Sequence, residues 1–237
     1  LCFANNAIIS TFAGTASMMT GIEAGLRALG KKDFQVVGFA GDGGTGDIGI
    51  QALSGAIERN DNVLYICYDN EAYMNTGIQK STLTPFGART TTTPVGSKVQ
   101  GNRSFKKNMF EIVAAHGITY AATASVGYLP DFLNKVEKAS KIQGTKYIHV
   151  IAPCPTGWGI KTENCIEGAK EVVDCGLLYL AEFENGEFKL NKRPKEFTSI
   201  DSYIKRQGRF KHMTDEDIEN VVKARDQKWN FINKYFN

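Results

Sequence analysis

With 237 residues, 42% of them hydrophobic, the chain can bury one sizeable core, and it holds no apolar run of eighteen or more residues that would span a membrane. The formal charge of +3 is uneven, 12 Lys/Arg against 7 Asp/Glu over residues 189–237 and 16 against 18 before them; this reads as a solvated or subunit-contacting basic tail and not as a nucleic-acid site. Cysteines at 2, 67, 154, 165 and 175 form no C-x-x-C pair and no zinc spacing, and no signal sequence is present, which together indicate reduced thiols in the cytoplasm.

The first element is a helix rich in small residues, from Thr11 through Gly14, Ala16 and Gly21 into Ile22, Leu26 and Leu29, ending at Gly30. Its small side chains allow tight packing on a sheet or close approach of a cofactor. Val36-Val37-Gly38-Phe39-Ala40 and Val63-Leu64-Tyr65-Ile66-Cys67-Tyr68 are short, continuously apolar runs, as expected of parallel strands buried on both faces. Between them Ile48, Ile50, Leu53, Ala56 and Ile57 have helical spacing, so a helix is expected from near Asp47. The Thr-, Gly- and Pro-rich stretch from Gly77 to about residue 104 is too long for a simple connection and reads as a covering or subunit-contact loop. Helix signals follow over Phe105–His116 and Tyr128–Ile142, with strands near Thr119–Thr123 and over Tyr147–Ile151. His116, before Gly117, reads as a helix-terminal residue and His149 as a core or sheet-edge hydrogen-bonding group. Asn185-Gly186 marks a hairpin between Leu177–Phe183 and Glu187–Leu190, and Thr214-Asp215-Glu216-Asp217 opens a last helix with Ile218, Val221, Val222, Trp229 and Ile232 as its stripe.

Chemistry concentrates at the two strand ends. Gly41-Asp42-Gly43-Gly44 follows the first run, and Asp69-Asn70-Glu71-Ala72-Tyr73-Met74-Asn75-Thr76-Gly77 follows the second. In open α/β sheets that edge binds ligands. Glycines let backbone amides approach phosphate oxygens, and the Asp42 carboxylate with the Asn70 amide oxygen offers the hard donors that suit Mg²⁺ bridged to a diphosphate. A ligand-free Asp-Gly turn and Asx turn is the plainer alternative.

Asp42 and Asn70, twenty-eight positions apart, resemble the signature of thiamine-diphosphate enzymes. The string from Asp69 to Gln79, with Thr90-Thr91-Thr92-Thr93-Pro94, Ala152-Pro153-Cys154-Pro155-Thr156-Gly157-Trp158 and Gln207-Gly208-Arg209-Phe210, is similar to the β subunit of pyruvate:ferredoxin oxidoreductase, within the 2-oxoacid:ferredoxin oxidoreductases. The resemblance implies an α/β thiamine-diphosphate-binding fold, a mostly parallel sheet flanked by helices. It would form one domain over residues 1–237, carrying a hairpin at about 177–190 and a helical tail at about 199–237, with a further segment expected before Leu1.

It also implies the reaction: oxidative, reversible decarboxylation of pyruvate to acetyl-coenzyme A and carbon dioxide, with electrons passed through a [4Fe–4S] cluster to ferredoxin. Asp42, Asn70 and the Ala72 carbonyl become the expected Mg²⁺ ligands, and Gly41, Gly43 and Gly44 shape the turn. Asn75 and Thr76 are placed beside the diphosphate and the reacting end of the cofactor, Asn75 with a catalytic role. Cys154 becomes one cluster ligand, its companions expected upstream of Leu1, since Cys2 alone cannot replace a C-x-x-C; loss of the cluster is the alternative. The glutamate that activates the aminopyrimidine is expected from an α subunit, and a ferredoxin-like cluster subunit completes the assembly. Oxalate, a branched 2-oxoacid or 2-oxoglutarate are alternative substrates, and a non-catalytic cofactor-binding or assembly subunit is the alternative from another class.

Overall fold

The computed structural model describes residues 6–236. Its elements are α1 (Thr15–Ala28), β1 (Val36–Gly41), α2 (Asp42–Gly46), α3 (Ile50–Arg59), β2 (Val63–Asp69), α4 (Met109–Ala115), β3 (Tyr120–Ser125), α5 (Leu129–Lys141), β4 (Lys146–Ile151), α6 (Pro155–Trp158), α7 (Cys165–Asp174), β5 (Ala181–Glu184), β6 (Glu187–Leu190), α8 (Ile200–Lys205) and α9 (Asp215–Tyr235). One six-stranded sheet runs in the order β1-β2-β4-β3-β5-β6. β1, β2, β4 and β3 are parallel, while β5 and β6 join antiparallel at the β3 edge.

Side-chain alternation divides the sheet into two packed faces. Val63, Tyr65, Cys67, Ala121 and Tyr147 meet α1, α3, α4 and the end of α9 on one face. Leu64, Ile66, Ala122, Ala124, Ile148 and Val150 meet Ala139, Phe132 and Val136 of α5 on the other. A third cluster, from Ile151 and Trp158 through Val172 to Tyr203 and Phe210, closes the C-terminal end of the sheet. Among the described residues no helix is long and apolar enough to cross a membrane.

Five expectations change. The first helix, expected from Thr11, begins at Thr15. β1 is not buried on both faces: it is the edge strand, and Val37 and Phe39 are about half exposed, as is Tyr68 beside them. No helix starts at Asp47. A five-residue helix opens at Asp42, and α3 begins at Ile50, because the Asp47 carboxylate is taken up by Tyr73 and Thr82 instead of capping. The helix expected from Phe105 starts at Met109, where Asn108 caps by accepting from the Glu111 amide at 3.2 Å. The first hairpin strand starts at Ala181, while the turn itself has Asn185 and Gly186 at φ 53° and 83°, the left-handed pair that a two-residue hairpin requires.

Candidate functional site

The order β1-β2-β4 sets three strand ends side by side, so Asp42, Asp69 with Asn70, and Ala152 to Cys154 share one edge. Asp42 begins α2 and is only 1% exposed. Burial first, and then the charge of Asp69, push its carboxyl up to about 8, against the opposing hydrogen bond donated by Ser81. Ser81 occupies Asp42 Oδ2. Oδ1 faces the Asn70 amide, whose inward atom lies 3.0 Å from it and 2.8 Å from the Ala72 carbonyl oxygen.

The amide can sit either way round. With nitrogen inward, both contacts are hydrogen bonds; with oxygen inward, three oxygens meet in an arrangement that a cation satisfies. One carboxylate, one amide oxygen and one backbone carbonyl are hard donors that leave room for diphosphate oxygens and water, so the residues fit Mg²⁺. The nearby backbone approaches closely. A Cβ on Gly43 would fall 2.1 Å from the Tyr73 ring, whose hydroxyl donates to Asp47 Oδ2 at 2.8 Å and to the Gly43 carbonyl at 3.3 Å. Gly44 is buried in the same turn, and Gly41 ends β1.

Behind these oxygens lies a network of charges that the sequence did not announce. Asp69 is fully buried. Burial alone would raise its carboxyl, but Lys106 at 2.5 Å and His149 Nε2 at 2.9 Å hold it down to about 2. His149 Nδ1 in turn lies 2.9 Å from the Tyr147 hydroxyl. Lys106 also reaches Glu71 at 2.7 Å, and Arg209 reaches the other Glu71 oxygen at 2.5 Å. Desolvation opposes the charge on Lys106, yet the carboxylates of Asp69 and Glu71 keep it above its ordinary range.

The long segment after Gly77 turns out to be ordered by this site. Asn102, buried, donates to the carbonyls of Thr84, Pro85 and Ser104, and the fold-back carries Ser81 to Asp42 and Thr82 to Asp47. Asp69 at the end of a strand and His149 on its neighbour were visible in the sequence. Lys106 sits in irregular backbone and Arg209 in a single 3-10 turn, Gly208–Phe210, where no periodicity points at a partner.

Other expected residues are placed differently. Asn75 and Thr76 lie on the exposed tip of a reversal in which Tyr73 and Gln79 exchange backbone hydrogen bonds. The Thr76 hydroxyl donates to Gln79 Oε1 at 2.6 Å, so neither side chain is gathered with Asp42. Cys154 precedes α6 and is partly exposed, and the Trp158 indole of the same turn donates to the Asn70 carbonyl at 3.0 Å. Cys165 is close enough to Cys154 for its charge to reinforce burial in raising the Cys165 thiol, while Cys67 and Cys175 are buried elsewhere in the core. The described residues therefore do not bring four thiolates together for a [4Fe–4S] cluster, and Cys2 lies outside them. His116 ends α4 with its ring nitrogen 2.7 Å from Ser54 Oγ, and plays no part in the site. A cavity of about 320 Å³ lies on the far side of the charge network, walled by Glu71, Lys106, His149, Phe105, Tyr203 and Phe210.

Residues 2–150 match the family described as thiamine pyrophosphate enzyme, C-terminal TPP binding domain. The chain is 50% identical over 228 residues to the pyruvate synthase subunit PorB of Methanocaldococcus jannaschii, covering 93% of this chain and 76% of that protein. It is also 50% identical over 236 residues to the ketoisovalerate oxidoreductase subunit VorB of Pyrococcus horikoshii, covering 97% and 76%. Among solved structures, a 2-oxoglutarate:ferredoxin oxidoreductase from Magnetococcus marinus, with 2-oxoglutarate, coenzyme A and succinyl-CoA bound, superposes with a TM-score of 0.54 at 25% identity, over 61% of this chain and 46% of that one.

Proposed function

Because this chain belongs to the β-subunit family of the pyruvate and ketoisovalerate:ferredoxin oxidoreductases, we propose that it binds thiamine diphosphate through Mg²⁺ and serves oxidative decarboxylation of a 2-oxoacid in the cytoplasm. The observation that carries this reading is the meeting of Asp42 Oδ1, the Asn70 amide and the Ala72 carbonyl within 3.0 Å.

Thiamine diphosphate supplies, when bound, a carbon nucleophile for the 2-oxo group and a sink for the electrons left as carbon dioxide departs. The chain's own residues do the positioning. Asp42, Asn70 and the Ala72 carbonyl hold the cation, with Ser81 fixing the other Asp42 oxygen. Tyr73 and Asp47 hold Gly43 where backbone can come close to phosphate oxygens. Asn75 and Thr76, on an exposed tip, are available to close over the cofactor and the reacting carbon once partner and substrate are present. Residues 1–237 act as one cofactor-binding unit, with the hairpin and α9 as additions to it.

The glutamate facing the aminopyrimidine is assigned to an α subunit, so catalysis requires a hetero-oligomer. Coenzyme A receives the acyl group, and a ferredoxin-like subunit and ferredoxin receive the electrons. Cys154 alone does not make a cluster site among the described residues, and further cluster ligands would have to come from outside them. Relatives named for pyruvate and for ketoisovalerate are equally similar to this chain, so pyruvate and branched 2-oxoacids are the first substrates to try.

The test is reduction of a viologen dye by the assembled complex, with thiamine diphosphate, Mg²⁺, coenzyme A and a panel of 2-oxoacids. Turnover by the complex and none by the isolated chain is expected. An isolated chain as active as the complex would overturn the shared-site reading, and a complex silent towards every 2-oxoacid would favour a non-catalytic subunit.

A further inference from the structure

Two loops from the C-terminal half grip the backbone on either side of the proposed metal ligands. Glu71 sits between Asn70 and Ala72 and has φ 71°, a left-handed conformation that is unusual for a side chain other than glycine, asparagine or aspartate. It is 4% exposed, and every polar group it has is held. Its amide donates to Asp69 Oδ1 at 2.9 Å, its carbonyl accepts from Thr84 Oγ1 at 2.8 Å, and its two carboxylate oxygens meet Lys106 at 2.7 Å and Arg209 at 2.5 Å.

Arg209 is itself fixed. Its Nε donates to Gln207 Oε1 at 2.9 Å, its guanidinium lies 4.1 Å from the centre of the Trp158 ring, and its carbonyl accepts from the Arg89 amide at 2.8 Å. Trp158 donates to the carbonyl of Asn70 at 3.0 Å. Gly159 and Gly208 bring the two loops into contact, for a Cβ on Gly159 would lie 2.9 Å from Gly208 Cα. Nothing in this arrangement touches the three metal-facing oxygens. It holds the two peptides, 70–71 and 71–72, that link the residues bearing two of them.

We propose that Arg209, acting through Glu71, is a positioning residue that holds residues 70 to 72 in the strained conformation needed to present the Asn70 amide and Ala72 carbonyl to Mg²⁺. The proposal rests on the function assigned above. Relaxation of Glu71 towards negative φ would reorient the 70–71 peptide relative to the 71–72 peptide, and so shift the Asn70 side chain relative to the Ala72 carbonyl attached beyond them. The ion pair opposes that relaxation because a buried carboxylate cannot leave two cations without becoming an unpaired buried charge.

The experiment uses the assembled complex, stripped of cofactor, with Arg209→Met, Arg209→Lys and the double variant Arg209→Met/Glu71→Gly. Two quantities are read: hydrogen exchange of the 69–77 backbone without cofactor, and thiamine diphosphate affinity across a series of Mg²⁺ concentrations. Arg209→Met should speed exchange in that segment and weaken Mg²⁺-dependent binding by about tenfold or more, the range found when a group that orients a metal ligand is lost. Arg209→Lys should recover part of the affinity. The double variant should recover most of it, because glycine adopts the left-handed conformation freely and leaves no carboxylate unpaired.

A variant that merely unfolds would not be rescued by Glu71→Gly. Unchanged exchange and affinity in Arg209→Met, or a double variant no better than the single one, would overturn the proposal. Wild-type complex that binds no thiamine diphosphate at any Mg²⁺ concentration, with exchange still accelerated in Arg209→Met, would overturn the functional reading while retaining the clamp.

Discussion

At the scale of single residues, the site depends on close contacts around small side chains. Gly43 is the clearest case: its Cα faces the Tyr73 ring with no space for a methyl group. Gly43→Ala must displace Tyr73, which would release Asp47 and loosen the turn that carries Asp42. A loss of about 1–3 kcal/mol, the usual range for overpacking, is expected in denaturant unfolding, together with weaker cofactor binding. Stability equal to wild type would mean that Tyr73 has freedom to move which its hydrogen bonds do not suggest. Asp69 illustrates the opposite arrangement. It is buried, yet stays ionised because Lys106 and His149 both face it, and its charge in turn raises Asp42. Two carboxylates of opposite disposition thus stand at adjacent strand ends, one compensated within the chain and one placed to be compensated by a cation.

Individual elements were legible where a local rule decides them. The last helix has its full capping box: Thr214 Oγ1 accepts from the Asp217 amide, and Asp217 Oδ2 accepts from the Thr214 amide, each at 3.2 Å. Thr214→Ala should lower stability by about 1 kcal/mol, measured by thermal or denaturant unfolding. Its pH dependence has a definite sign. Burial works to raise the Asp217 carboxyl, but the hydrogen bond from Arg103 and those of the cap outweigh it and hold it below 3.8. A carboxyl depressed on folding contributes its stability above that ordinary value and loses it as the pH falls through the lower folded value. The gap in stability between wild type and Asp217→Asn should therefore be full near neutrality and close below pH 3.8. A gap that widens on acidification would contradict the assignment. Rules of this kind say nothing about where a helix must give way to tertiary contacts. The start of α4 at Met109 instead of Phe105, and the interruption at Asp47, both follow from side chains drawn into the site: Lys106 and Lys107 in one case, Asp47 in the other.

For the whole molecule, what the sequence disclosed depends on distance along the chain. Asp42 and Asn70 end neighbouring parallel strands with one helical connection between them, so their spacing could be read as a pair of ligands before any coordinates. The ion pair of Arg209, in a short 3-10 turn, with Glu71 joins segments 138 residues apart, and no periodicity or turn signal connects them. The C-terminal strings were recognisable by resemblance, but their physical role of supporting residues 70 and 71 emerges only from the fold. The exposed face of β1 has the same origin: an apolar run reads alike whether its strand lies inside a sheet or at its edge, and the edge is set by the strand order.

The central claim is that Asp42, Asn70 and the Ala72 carbonyl form a cation site for a diphosphate cofactor. It is tested most directly by titrating thiamine diphosphate into cofactor-stripped complex, wild type against Asp42→Asn, at matched Mg²⁺ concentrations and with unfolding followed in parallel. The substitution keeps the size of the side chain and removes the anionic oxygen. Strictly Mg²⁺-dependent binding by wild type, a loss of affinity of about tenfold or more in the variant, and no loss of fold stability are the expected results, in line with the importance of carboxylate oxygens to Mg²⁺. Equal affinity of the two proteins at the same Mg²⁺ concentration would contradict the assignment.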